Sequence, residues 1–276
     1  MRVTIFAHAG RRAALRATPV IGLVASTSLA CASACSFEPQ GIGRIADAID
    51  IRTLRMSDGA EVRLAGIEPA TSGPSDTELK SLIPEGDVAL HGESDTPDRY
   101  GRQPVFIFTE IDGPALQVRI LSAGLALASG TISDRACGAE LAAAEATARR
   151  AKTGIWSRGG VIKNAVIPGD ILAQLGRFVV VEGRVLSVRE AGTTTYLNFG
   201  RRWTRDFAVS ISRRMMPAFA GAGIVLKSLE GRRIRVRGWV ESRGGPRIEA
   251  RHVGQIEAVG DSGTAKDRLP RQDATT

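Results

Sequence analysis

The sequence predicts a mainly β chain with helices, an α+β fold in two domains, and three observations carry that reading. Short runs rich in β-branched residues, bounded by Gly, Asp and Pro, recur along most of the chain. Only two stretches keep the apolar spacing of a helix over two turns or more, residues 115–123 and 140–152. The charge divides sharply. Residues 35–175 hold 14 basic against 19 acidic residues, whereas residues 176–259 hold 16 against 7. An acidic half followed by a basic half, in a chain of 276 residues, is most simply two modest domains.

The chain starts with Arg2, Arg11, Arg12 and Arg16 and no acid, continues through an apolar run at 19–25, and reaches Ala32-Ser33-Ala34. A basic region, a short apolar core and a small-residue site predict a secretory signal over 1–34. The apolar core is too short to span a bilayer, so the expected product is exported, periplasmic or extracellular. The competing reading, a lipid anchor at Cys35, lacks the usual leucine three before the cysteine. Cleavage after Ala34 removes Cys31 and leaves Cys35 and Cys137. An even pair in an oxidising compartment is expected to bridge; the alternative is a buried free thiol at Cys137, which acylation of Cys35 would enforce.

The first domain, expected over 35–158, opens with strands at 43–48, 51–56 and 61–66, the last two joined by an Asp58-Gly59 turn. Residues 71–75 read as loop, and 76–82 as a short helix that Pro84 ends. Strands follow at 88–92 and 104–108. In the helix at 115–123, Leu116, Ile120 and Leu121 share a face and Gly124 stops it. The helix at 140–152 is alanine-rich, with Arg149, Arg150 and Lys152 at the end its dipole favours and Gly154 behind.

A connection over 159–175, with Pro168-Gly169 inside, carries at most one short helix. The second domain, expected over 176–259, shows strands at 179–185, 194–200 and 207–211, then a helix near 213–219. Strands at 232–241, 247–250 and 255–259 complete it. Three strands, a helix and further strands fit a small OB-type β-barrel. The polar tail, 260–276, reads as disordered. This domain holds seven of the chain's aromatics, and its arginines cluster in two places. Arg201, Arg202 and Arg205 surround Trp203 between two strands, with Tyr196 nearby; Arg233, Arg235 and Arg237 alternate with apolar residues along one strand. Stacking aromatics beside guanidiniums suit a nucleic acid. The alternatives are a solvated face, or one that meets the acidic domain. Phe199, Phe207 and Trp239 fall where strands need core residues.

Four blocks in the first domain carry chemistry: Asp50-Ile51-Arg52-Thr53, Arg63-Leu64-Ala65-Gly66-Ile67-Glu68, Tyr100-Gly101-Arg102 and Gly154-Ile155-Trp156. Their order resembles the thermonuclease (staphylococcal-nuclease-like) family, over roughly residues 41–157. The resemblance implies a five-stranded barrel with flanking helices, and a site of carboxylate-bound Ca²⁺, a general-base glutamate and two phosphate-binding arginines. The arginines match as Arg63 and Arg102, and a planar guanidinium grips two phosphate oxygens well. The rest departs from the pattern. Arg52 stands at one metal-ligand position, Glu68 keeps a carboxylate at another, and Thr71 stands at the general base; sliding the register by one residue offers only Ala70 there.

The expected function is therefore an exported nuclease-fold protein that binds nucleic acid or another polyanion, with hydrolysis weak or lost and no cofactor. Two other classes stay open. One is a metal-dependent phosphodiesterase with a rearranged site, using Ca²⁺ on Glu68 with Asp47 or Asp50; the other is a non-catalytic envelope scaffold. His91 and His252 have no neighbouring ligand pattern.

Overall fold

The computed structural model describes residues 33–71, 73, 76–110 and 113–260, which fall in one compact unit. The expected leader before Ser33 and the tail from 261 lie outside the described residues. The strands of the first lobe are β1 (Glu38–Asp50), β2 (Thr53–Met56), β3 (Glu61–Leu64), β4 (Ile67–Glu68), β5 (Asp87–Gly92), β6 (Gln103–Phe108) and β7 (Leu127–Ala128). Its helices are α1 (Asp76–Lys80), α2 (Leu116–Ser122) and α3 (Arg135–Ala151). Five strands close a barrel in the order β1-β2-β3-β6-β5, with β3 and β6 parallel. Closure depends on β1, which pairs with β5 through its first half and with β2 through its second. Register shifts near Gly41, Asp47 and Asp50 bend it between the two partners.

The second lobe follows the same path, although no repeat is visible in the sequence. A connection carrying β8 (Ile162–Asn164) and α4 (Pro168–Leu172) leads into β9 (Phe178–Arg184) and β10 (Ser187–Ala191). Then come β11 (Thr194–Asn198), β12 (Ala208–Ser212), α5 (Met216–Gly221), β13 (Arg233–Arg243), β14 (Gly245–Glu249) and β15 (Ile256–Ala258). The sheet runs β10-β11-β12-β14-β13-β9, with β12 and β14 parallel. Only Val185 and Leu186 separate β9 from β10. Val185 N–H donates to Arg232 O on one side, and Leu186 N–H to Asn198 O on the other. The two are halves of one bent strand, so the ring returns on itself in the order of the first barrel, an OB-type arrangement. The sequence reading missed β8 and β10. The residues of β10 are largely exposed, so they leave little alternation to read.

Each barrel has its own core, built in the first on Leu54, Leu64, Phe106 and Ile107 and in the second on Val209, Ile211, Ile234 and Ile248. A third cluster, with Leu127, Ala148, Ile155, Trp156, Phe178 and Val180, joins them. Helix α3 is the element between the barrels. It starts earlier than the sequence suggests because Asp134 caps it, accepting the Cys137 N–H at 2.8 Å. Cys137, in its first turn, is bridged to Cys35, as the cysteine pairing predicts. Two of the family-like blocks meet at the other end of the helix. Gly124 and Gly154 both have positive φ, and a Cβ on Gly154 would lie 2.3 Å from Gly124 O, so two glycines are needed there. Ile155 N–H then donates to Gly124 O at 2.8 Å, and Trp156 is buried behind. Among the described residues no helix is long and apolar enough to cross a membrane.

Candidate functional site

Four arginine- and carboxylate-bearing segments meet at one side of the first barrel. The turn from β1 to β2 is shaped by Asp50, which accepts Arg52 N–H at 2.8 Å and the Thr53 hydroxyl at 3.2 Å. That turn delivers Arg52. Thr53 pairs with Arg63 across β2 and β3, placing Arg63 on the same side. Glu68, on β4, is buried at 5% exposure. One of its oxygens is ion-paired to Arg52, and the other accepts from Arg63 Nη2 at 2.8 Å. Burial pushes the Glu68 carboxyl above its ordinary range, against the pull of Arg52 and Arg63.

Arg102 sits at the end of a loop wound around Asp98. The Asp98 carboxylate accepts the N–H groups of Tyr100 at 2.8 Å and Arg102 at 3.1 Å, and Gly101 supplies the positive φ. The other Asp98 oxygen accepts Arg102 Nε at 3.0 Å and Nη2 at 2.8 Å. Burial penalises the Asp98 charge, but these hydrogen bonds outweigh it and hold the carboxyl at about 2. Arg102 Nη1 reaches Thr53 Oγ1 at 3.4 Å, which ties this loop to the turn that carries Arg52. Tyr100 stands out at 66% exposure, with the guanidiniums of Arg99 and Arg102 over its ring at 4.8 and 5.0 Å.

Arg52, Arg63, Glu68 and Arg102 thus converge. Thr71 is engaged elsewhere, its hydroxyl donating to Gln174 of the connection at 2.9 Å. Asp47 is exposed and accepts the N–H of its neighbour Ala48. The arrangement does not fit a Ca²⁺ site. Ca²⁺ requires several hard oxygens around one point, but the carboxylate that remains is clamped between two guanidiniums. Among the described residues no three His, Cys, Asp or Glu side chains are placed to hold a metal ion. The residues present can bind an anion; they offer no open coordination position.

The second lobe corrects several expectations. In the expected stripe, Arg235 and Arg237 are buried and paired, so they are not an accessible nucleic-acid face, whereas Arg233 is exposed. Ile234, Val236 and Val240 turn into the second core, so the odd-numbered residues of β13 lie on the opposite face, where Arg237 and Trp239 meet the first lobe. There Arg235 bonds Glu182 and Glu257, Arg237 bonds Glu145 of α3, and exposed Arg233 also donates to Glu182 at 2.7 Å. Residue 239 lies on that outward face too. Trp239, expected in the core, is instead 44% exposed, while Phe199 and Phe207 are buried as expected. The Arg52 guanidinium lies over the Trp239 ring at 5.8 Å. The parity of the arginine alternation was the signal that could have found it. Arg201, Arg202 and Arg205 do lie on an exposed loop around Trp203, itself 74% exposed. Tyr196 is half-buried and lines a separate polar pocket of about 310 Å³ with Ser212, Arg243 and Arg247. His91 Nδ1 hydrogen-bonds Phe37 O at 2.7 Å, and His252 caps the turn before β15; both have structural partners.

Residues 72–158 match the family model of staphylococcal nuclease homologues. The similarity to staphylococcal nuclease homologues is confined to this stretch of the first lobe. The match takes in the Tyr100-Gly101-Arg102 loop, Gly124 and the Gly154-Ile155-Trp156 block. The turn and strands with Arg52, Arg63 and Glu68 precede it in the chain and are joined to it in the closed barrel. No curated protein matches the chain.

Proposed function

We propose that the chain is an exported nuclease-fold protein that binds nucleic acid, or another polyanion, and does not hydrolyse it by the family's metal route. One observation carries this reading: Arg52, at a family metal-ligand position, is locked onto Glu68. A fixed guanidinium offers positive charge to a phosphate but cannot polarise a bound water as a metal ion does. Threonine at position 71 offers no base near neutral pH. The capacity to hold a phosphate is retained. Arg63 spends one N–H on Glu68. Arg102 spends three, two on Asp98 and one on Thr53. A guanidinium carries five. The bridge between Cys35 and Cys137 supports an oxidising, extracytoplasmic location.

Filter binding of single-stranded DNA across a salt series tests the reading. The expected affinity falls steadily as salt rises, because each neutralised phosphate releases condensed counterions. Arg63→Ala is expected to weaken binding at every salt concentration and to reduce the slope by roughly one phosphate contact. Binding that ignores salt, or no binding, would remove the proposal.

A further inference from the structure

We propose that the second lobe completes the first lobe's arginine cluster, with Trp239 as a platform for a nucleobase, so that the joint site takes a single-stranded nucleic acid. This rests on the strand-binding reading above and names the form of nucleic acid.

The arginines of the outward face of β13 nearest Trp239 are occupied. Arg235 and Arg237 are buried and paired, and Arg233 is paired to Glu182. Trp239 is the residue of that face whose apolar ring is left partly open. One contact is edge-on to Phe178, at 6.0 Å between centroids and 76° between planes; another is the Arg52 guanidinium. Arg52 in turn meets Glu68, whose second oxygen holds Arg63. An indole, a guanidinium, a carboxylate and a second guanidinium therefore follow one another across the lobe boundary. Tyr100, also open, joins the cluster through Arg102 and Thr53.

Open aromatic rings interleaved with guanidiniums suit a chain whose charged groups alternate with flat, unpaired bases. In a duplex the base faces are already stacked on one another, so the indole would have no partner. The platform is also held in place. Two residues before it, Arg237 donates to Glu145 and to Ala128 O of the first lobe. One residue after it, Val240 exchanges backbone hydrogen bonds with the connection, accepting from Gly176 N–H and donating to Arg177 O. A ring fixed before binding loses little freedom when a base stacks on it.

Fluorescence anisotropy tests this with labelled oligothymidine, an abasic strand of equal length and a duplex. The proteins are the native chain, Trp239→Ala and Trp239→Phe. Native protein is expected to bind oligothymidine more tightly than either of the other two. Trp239→Ala is expected to weaken oligothymidine roughly tenfold or more and leave the abasic strand unchanged, while Trp239→Phe keeps most of the affinity. Equal affinity of native protein for oligothymidine and the abasic strand would overturn the proposal, whether or not the variants fold. So would a Trp239→Ala protein that binds oligothymidine like the native one, or that loses both strands equally. If native protein binds none of the three, the strand-binding reading itself fails.

Discussion

Arg237→Ala is expected to destabilise the protein by about 3–5 kcal/mol, measured as the loss in unfolding free energy in urea. The Arg237 side chain is 3% exposed and that of Glu145 is 0% exposed. Its Nη1 donates to Glu145 Oε2 and Ala128 O, both at 2.8 Å, and its Nη2 to Glu145 Oε1 at 3.3 Å. Removing the guanidinium leaves a carboxylate buried between the lobes and opens a gap beside it. Arg149, at 3.0 Å, and the Ala128 N–H, at 2.7 Å, remain with Glu145, which places the expected loss toward the lower end. Burial lowers the Arg149 pKa, and the neighbouring charges of Arg235 and Arg237 lower it further, so deleting Arg237 also relieves a repulsion. The pairing argument has a second arm. Arg237→Met combined with Glu145→Gln removes both charges and is expected to cost less than Arg237→Ala alone. A loss below about 0.5 kcal/mol for the single variant, the range of ordinary surface changes, would show that this contact does not hold the lobes together.

The second large effect concerns Cys35 and Cys137, which are 102 residues apart and both fully buried. Closing a loop of that length constrains the unfolded chain by about 4–5 kcal/mol in the chain-entropy account. The bridge fastens the segment before β1 to the first turn of α3. Replacing both cysteines with alanine is expected to lower the urea midpoint with little change in the native fold. Reductant is expected to have the same effect on the native protein and none on the variant. Unchanged stability in both experiments would show that the bridge adds nothing to a loop already held by the barrel.

Much of this architecture was legible because period and punctuation agree with the final packing. The Asp58-Gly59 turn, the alanine-rich stretch ending at Arg149 and Arg150, and the alternation at 232–241 each became the element that they suggested. The misread features concern what a face meets. Alternation along β13 correctly separates two faces but says nothing of what covers the outer one, so it left the arginine stripe open between nucleic acid, solvent and the acidic domain, and Arg237 proves to meet that domain through Glu145. The same parity places Trp239 with the arginines and outside the core. In the site, Arg52, Arg63, Glu68 and Arg102 could be named from their blocks. Their meeting point with the second lobe could not, because it depends on how α3 seats one barrel against the other through Glu145 and Arg237.

The central claim is that Arg52 stands as a fixed cation where the family places a metal ligand. Calorimetric titration of Ca²⁺ into native protein and Arg52→Asp tests it most directly. Removing the guanidinium frees one Glu68 oxygen and adds a carboxylate beside Asp50, so the variant is expected to bind Ca²⁺ at least weakly and the native protein to give no binding heat. Native protein that binds Ca²⁺ as tightly as the variant would contradict the account.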